Sequence, residues 1–238
     1  SKKFHKKILD LLFDDVFLDN DNEINYPIKK ILENNCNSLN LHLKDENFHY
    51  LKKNQFINSF THNDILLSNY ENFIVFHYDE KWEIENYSKV FKKATNLTDL
   101  KVNTNLFKEF LSEFSKKKSI KIIITTGTIN TKVVEDLKNI LKKINDDLYE
   151  INLNGCNGYL LLKQDFFSIS HLISKCSLLI SCHGAFTHIA SNYNVKILDI
   201  IEKSKYNHYK RITYHMKKYT YIYRDNFEEL SKSIIKNS

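Results

Sequence analysis

The 238-residue sequence predicts an α/β protein: a Rossmann-like parallel sheet over residues 71–238, preceded by a short, incomplete N-terminal domain over residues 1–70. Three observations carry this expectation. From Asn72 onward, short β-branched apolar runs alternate with segments whose apolar residues recur at helical spacing. The composition, 42% apolar with 16 Phe and 14 Tyr, is that of a chain with a core, and four Gly and one Pro are too few for a collagen-like or linker sequence. The first 70 residues do not share the later rhythm.

In chain order, Phe4 to Leu12 reads as a helix, Pro27 opens a second helix running to Asn34, and Leu39 to Leu43 alternates like a strand. His62 to Asn72 is the expected connection. Phe73 to Phe76 then reads as a buried strand, Tyr87 to Ala94 and Asn105 to Lys116 as helices, and Ile120 to Thr125 as the clearest strand. In Thr131 to Ile144 the apolar residues Val133, Val134, Leu137, Ile140, Leu141 and Ile144 fall three and four apart, so one helix is predicted over the whole segment. Leu148 to Leu153, Leu178 to Ser181, Val195 to Ile201 and Tyr219 to Tyr223 follow as strands. Asp165 to Lys175, Ala185 to Asn192 and Asn226 to Ile235 follow as helices. Such alternation implies right-handed crossovers and a parallel sheet covered on both faces. There is no internal repeat.

The net charge of +6 does not by itself indicate nucleic acid. All but two of the 35 basic residues are lysines scattered among asparagines, the exceptions being Arg211 and Arg224, whereas nucleic-acid readers concentrate Arg forks on one face. Lys116, Lys117 and Lys118 close a predicted helix, where they complement its dipole. Cys36, Cys156, Cys176 and Cys182 form no C-x-x-C pair, which suits free thiols in a reducing compartment. No apolar run approaches the roughly 18 residues of a membrane span, and the expected location is cytoplasmic, with peripheral membrane association left open. The chain opens on Ser1 rather than Met, which fits either a trimmed end or a fragment of something longer.

Ligands of open parallel sheets bind beyond the carboxyl ends of the strands, so the loops after Thr125, Leu153 and Ser181 are the places to search. Glycine is scarce, and Gly127, Gly155, Gly158 and Gly184 are expected where a side chain is not tolerated. The strongest candidate is the strand Leu178 to Cys182, turning through His183 and Gly184 into the helix that starts at Ala185. A helix start offers unpaired amides and a positive dipole end, a seat for phosphate that His183 and His188 would flank. The alternative is a helix merely packed on the sheet, with Thr187 as a satisfied polar residue. Thr126, Gly127 and Thr128 offer hydroxyls at a second strand end, or a plain turn before a cap at Asn130. Lys81 could reach an anion across the cleft, or belong to a solvated loop anchored by Trp82, the only tryptophan. Asp199, in an otherwise apolar strand, could accept ribose hydroxyls or face solvent at the strand end.

The sequence contains no G-x-S-x-G, P-loop, G-x-G-x-x-G or H-E-x-x-H, so the usual hydrolase, NTPase, dehydrogenase and zincin readings lose their motifs. Cys176, Cys182, His183 and His188 lack a standard zinc spacing, and neither a metal nor a cofactor is expected.

From about Asn72 to the C terminus the residues resemble the family-nine glycosyltransferases, the heptosyltransferase-like enzymes built as two facing Rossmann-like domains, the GT-B fold. Phe73 to Trp82 looks like the family's first strand after the interdomain linker, with a loop ending in a basic residue and Trp. Ile122 to Thr128 resembles its strand with a Thr/Gly turn, and His183 to Ala190 stands in place of its D-T/S-G-x-x-H-x-A motif. The resemblance implies donor-binding roles for Lys81, Gly184, Ala185, Phe186, Thr187 and His188 toward a nucleotide-diphosphate sugar, and a glycan or glycolipid acceptor. It departs from the pattern at His183, where the family has Asp, and at Gly184, shifted by one. His-Gly-Ala also looks like the loop of another glycosyltransferase family whose next strand ends in an acidic residue, as Asp199 does here. About 70 residues precede the linker and resemble only the end of an acceptor-side domain. The general base then lies outside this chain or is one of Asp14, Asp15 and His183. Three functions stay open: a glycosyltransferase, a non-catalytic nucleotide- or glycan-binding module, and a partner subunit completed by another chain.

Overall fold

A computed structural model describes residues 72–85 and 97–238. The expectations for residues 1–70, the connection to Asn72, the helix at Tyr87 to Ala94, and the residues Asp14, Asp15 and Cys36 lie outside those described.

Eight strands form one sheet: β1 (Phe73–Tyr78), β2 (Lys121–Thr126), β3 (Lys142–Asn145), β4 (Leu148–Leu153), β5 (Cys156–Leu161), β6 (Leu178–Cys182), β7 (Lys196–Ile201) and β8 (Tyr219–Tyr223). Their spatial order is β3-β4-β5-β2-β1-β6-β7-β8. Six are parallel, from β5 across to β8, and β4 pairs antiparallel with both β3 and β5. The parallel strands fill one half of the sheet outward from β1 and then the other half outward from β6. This reversal between β1 and β6 is the doubly wound arrangement, and it opens a crevice at the carboxyl ends of those two strands.

Helices α1 (Thr104–Lys118), α2 (Lys132–Ile140) and α6 (Phe227–Asn237) cover one face; α3 (Phe166–Lys175) and α4 (Ala185–Asn192) cover the other, while α5 (Tyr206–Thr213) lies beyond β7. β1 is buried on both sides, as a central parallel strand must be: Ile74, Phe76 and Tyr78 join the core under α1, and Phe73 and Val75 the core under α3. Local signals set the helix ends. Asn103, Thr131, Asp165 and Asn226 each cap a helix by accepting first-turn amides. Lys116, Lys117 and Lys118 occupy the last turn of α1, as expected of dipole partners. Among the described residues no helix is long and apolar enough to cross a membrane.

Three expectations are corrected. The segment from Thr131 is not one helix to Ile144: α2 ends at Ile140, Leu141 turns extended with ψ of 151°, and β3 forms a hairpin with β4. Ile140 and Ile144 are accordingly 49% and 48% exposed. The cap of α2 is Thr131 rather than Asn130. The loop after Leu153 joins the antiparallel pair β4 and β5, so it lies at the edge of the sheet away from the crevice. Strand β5 and helix α5 were not anticipated. All four glycines do stand where a side chain is disfavoured. The clearest is Gly158 in β5, where a Cβ would run into the Ile122 carbonyl of β2.

Candidate functional site

The crevice between β1 and β6 holds a cavity of about 490 Å³. Its walls come from the loop after β1 (Asp79, Glu80, Lys81), the end of β2 and its loop (Thr126, Gly127, Thr128), Lys163 and Gln164 after β5, and the start of α4 (Gly184, Ala185, Phe186). Four crossovers thus converge on it. A larger groove of about 1040 Å³ lies beside α1 and α2, but there the carboxylates of Glu83, Glu85, Asp99, Glu135 and Asp136 outnumber Lys101 and Lys132, a balance that disfavours an anion.

The loop after β1 is anchored from below. Trp82 is fully buried against Phe76 and Tyr78, and its indole N–H donates to the His77 carbonyl at 3.0 Å. Asp79 accepts the Lys81 amide at 3.1 Å and pairs with Lys81 Nζ at 3.0 Å. Nζ also donates to the carbonyls of His183 at 2.9 Å and Cys182 at 3.5 Å, which stitches the β1 loop to the β6 loop. Burial pulls the Lys81 pKa down, but the charge and hydrogen bond of Asp79 together with Cys182 and Glu80 outweigh it and the net shift is upward, so the ammonium stays charged. Gly184 has extended backbone, with φ of 179°, that any residue adopts; it is glycine because a Cβ there would sit 2.8 Å from Lys81 Nζ. The same loop is braced from behind by Arg224, which donates to the Lys81 carbonyl at 2.8 Å and pairs with buried Glu202 at 2.9 Å.

The first turn of α4 leaves the Ala185 and Phe186 amides without intrahelical acceptors, and both residues line the cavity beside Lys81. This wall can receive an anion. His77, also lining the cavity, bonds Thr125 Oγ1 at 2.9 Å, and burial lowers its pKa to about 4, so it is neutral near pH 7.

No family model matches the sequence, and no curated protein matches it. In fold the chain is similar to the E. coli heptosyltransferase WaaC with ADP-2-deoxy-2-fluoro heptose, at 11% identity and a TM-score of 0.47, over 89% of this chain and 56% of that one. It is similar to the E. coli ADP-heptose lps heptosyltransferase II at 11% identity and a TM-score of 0.47, over 82% of this chain and 51% of that one. The wall teichoic acid polymerase TagF follows at 8% identity and a TM-score of 0.29, over 69% of this chain and 34% of that one. The chain spans about half the length of the two heptosyltransferases.

Of the residues the sequence singled out, Lys81, Thr126, Gly127, Thr128, Gly184, Ala185 and Phe186 meet at the cavity. His183, Thr187, His188 and Asp199 do not line it; they form a second cluster behind the Gly184 turn. His183 Nδ1 lies 2.5 Å from Asp199 Oδ2, and the ring packs on Tyr209 and His188. Tyr219 donates to Asp199 Oδ2 at 2.8 Å, while Thr187 Oγ1 accepts from the Gly184 amide and donates to Asp199 Oδ1, both at 3.4 Å. Asp199 is therefore fully buried and neither faces solvent nor stands open to a ribose, because protein donors occupy both of its oxygens. His188 is neutral near pH 7, with its pKa lowered to about 4 by burial and then by His183 and His215. The two histidines do not flank the cavity as expected, since the helix start turns them toward Tyr209 and His215.

Sequence reasoning missed Lys163, Gln164 and Phe166 on the cavity wall. A signal existed: the apolar run Leu160–Leu162 directly precedes them, and reading it as a strand would have placed its following loop at the ligand-binding edge. Among the described residues no group of His, Cys, Asp and Glu could hold a metal ion.

Proposed function

We propose that this protein is a glycosyltransferase that moves a sugar from a nucleotide-diphosphate donor to a hydroxyl acceptor. The observation that carries the reading is the cavity at the β1/β6 crevice, walled by the start of α4 with the charged Lys81 alongside. When the bond from the anomeric carbon to the diphosphate oxygen breaks, negative charge grows on the leaving group, and fixed amides and an ammonium stabilise such charge without reorganising. The Ala185 and Phe186 amides and Lys81 have that role. His188 does not line the cavity and is neutral near pH 7, so it takes no part in that stabilisation. The acceptor oxygen bonds to the anomeric carbon and its proton passes to a base, for which Asp14, Asp15 and His183 are the candidates. No step calls for a metal or a resident cofactor. A surface-glycan or lipopolysaccharide-type acceptor follows from the family resemblance, and a cytoplasmic setting from the unpaired cysteine pattern and the short apolar runs; these, with peripheral contact with a membrane, belong to the same proposal.

A second reading is favoured by one observation: His183, the only base candidate among the described residues, does not line the cavity. In that reading the chain binds nucleotide or glycan without turnover. Calorimetry with nucleoside diphosphates, together with transfer and hydrolysis assays on a nucleotide-sugar panel, separates the two. Binding with turnover supports the transferase, binding without turnover supports the module, and no binding overturns both.

A further inference from the structure

Lysines are spread along the whole sequence, but acids are not. Between Phe166 and Arg224 the only carboxylates are Asp199 and Glu202. Both are buried and committed, Asp199 to His183 and Tyr219, and Glu202 to Arg224 and Thr98. From β6 onward, α4, α5, β7 and β8 therefore expose no carboxylate of their own. Lys203, Lys205, Lys210, Lys217 and Lys218 all stand exposed along α5 and the turns on either side of it. The flanking acids lie elsewhere: Asp165 caps α3, while Asp225, Glu228 and Glu229 come after β8, where the chain enters α6 on the opposite face of the sheet.

Aromatic rings stand among these charges. β8 is the edge strand, and its alternation turns Ile222 into the core while Tyr221 and Tyr223 point the other way, each 37% exposed. Tyr206 of α5 packs on both, with ring centroids 5.5 and 6.2 Å away, and Tyr221 and Tyr223 lie 5.5 Å apart. Tyr206, Lys210 and Tyr214 recur four apart and so share one side of α5, where Tyr214 is 43% exposed. A phenol ring has an apolar body and a polar tip, which suits the headgroup level of a bilayer, and an anionic lipid surface attracts lysines. Nucleic acid fits less well. The exposed charges are ammonium points rather than guanidinium forks, and the three packed rings tilt at 47°, 76° and 58° to one another, which leaves no parallel platforms for stacked bases.

We propose that α5 and β8 form a docking face for an anionic phospholipid bilayer, drawn in by the five lysines and anchored by Tyr214, Tyr221 and Tyr223. This rests on the peripheral membrane contact proposed above and gives it a place in the fold. The test is sedimentation of the full chain with vesicles of phosphatidylcholine alone and of equal parts phosphatidylcholine and phosphatidylglycerol, at physiological ionic strength. Wild type is compared with Lys203→Glu/Lys205→Glu/Lys210→Glu and with Tyr221→Ser/Tyr223→Ser. A control, Lys116→Glu/Lys132→Glu/Lys236→Glu, makes the same change of charge on the face covered by α1, α2 and α6. Wild type should bind the mixed vesicles about tenfold or more tightly than the neutral ones; the first variant should lose about tenfold or more and the tyrosine variant about fivefold, with the control within about threefold. Equal losses in the first variant and the control, no loss in either, or a tyrosine variant equal to wild type overturn this face while leaving membrane contact in place. Wild type that ignores the mixed vesicles, or binds both kinds alike, overturns the anionic bilayer and the face with it. Tighter binding of a single-stranded oligonucleotide, lost in the same variants, replaces the bilayer by nucleic acid. Each of these results leaves the nucleotide-sugar reading to its own calorimetry.

Discussion

Lys81 is held by one carboxylate and two carbonyls, and any anion entering the cavity must draw its charge away from Asp79. Lys81→Ala is expected to weaken nucleoside diphosphate binding about tenfold or more, since a charge-assisted hydrogen bond is lost. His188→Ala, a change to a side chain off the cavity wall, should alter affinity by no more than about twofold. Titration calorimetry on the two variants checks both. Two histidines also give the fold a pH dependence with a defined sign. Burial lowers His77 and His188 to about 4 from an ordinary value near 6.5. Between these values the unfolded chain binds protons that the folded chain does not, so stability is full above about pH 6.5 and falls as pH drops toward 4. Each histidine contributes up to about 3 kcal/mol over that window. Urea unfolding at several pH values measures the fall, and His188→Phe should reduce it. The residue types at this scale were legible: Lys81 and Gly184 stood out for their position after strands. What the sequence did not carry was the direction of the side chains, which is why His183 and His188 were expected at the cavity and Glu80 was passed over.

At the scale of elements, the glycines separate close approach from backbone freedom. Gly158→Ala sets a methyl group against the β2 backbone, which cannot yield without parting β5 from β2. A loss of about 3 kcal/mol or more is expected by chemical denaturation. Gly184→Ala meets only the flexible end of Lys81. It should cost about 1 kcal/mol or less and weaken diphosphate binding by displacing Nζ from the His183 carbonyl. Elements with a strong local signature were legible: α4 and β8 fall at their expected bounds, and Asp165 and Asn226 mark the starts of α3 and α6. The signal failed where apolar spacing is ambiguous. Leu141 and Ile144 continue the helical period of α2, yet the chain turns into β3, whose backbone groups pair with β4. Helix α5 buries only Thr213 and so has no apolar stripe to find.

Across the whole molecule, Arg224 ties distant parts together. From the segment after β8 its guanidinium pairs with Glu202 after β7, and it donates to the carbonyls of Thr98 and Lys81. Glu202 in turn accepts from the Thr98 amide and hydroxyl. Removing the cation strands a buried carboxylate, so Arg224→Met should destabilise the fold by about 3–5 kcal/mol. Arg224→Lys should recover only part of this, because an ammonium cannot reproduce the fork. Thermal melts of both variants test the contrast. The sequence by itself determined the α/β class, most strands and helices, and the turn at Gly184, because periodicity, caps and glycine scarcity are local properties of the chain. Only the tertiary structure decided that β1 lies beside β6, that Lys81 meets His183 across about a hundred residues, and that the histidines face away. Strand order and side-chain direction follow from how crossovers pack on both faces of the sheet, which is a property of the assembled layers and of no segment alone.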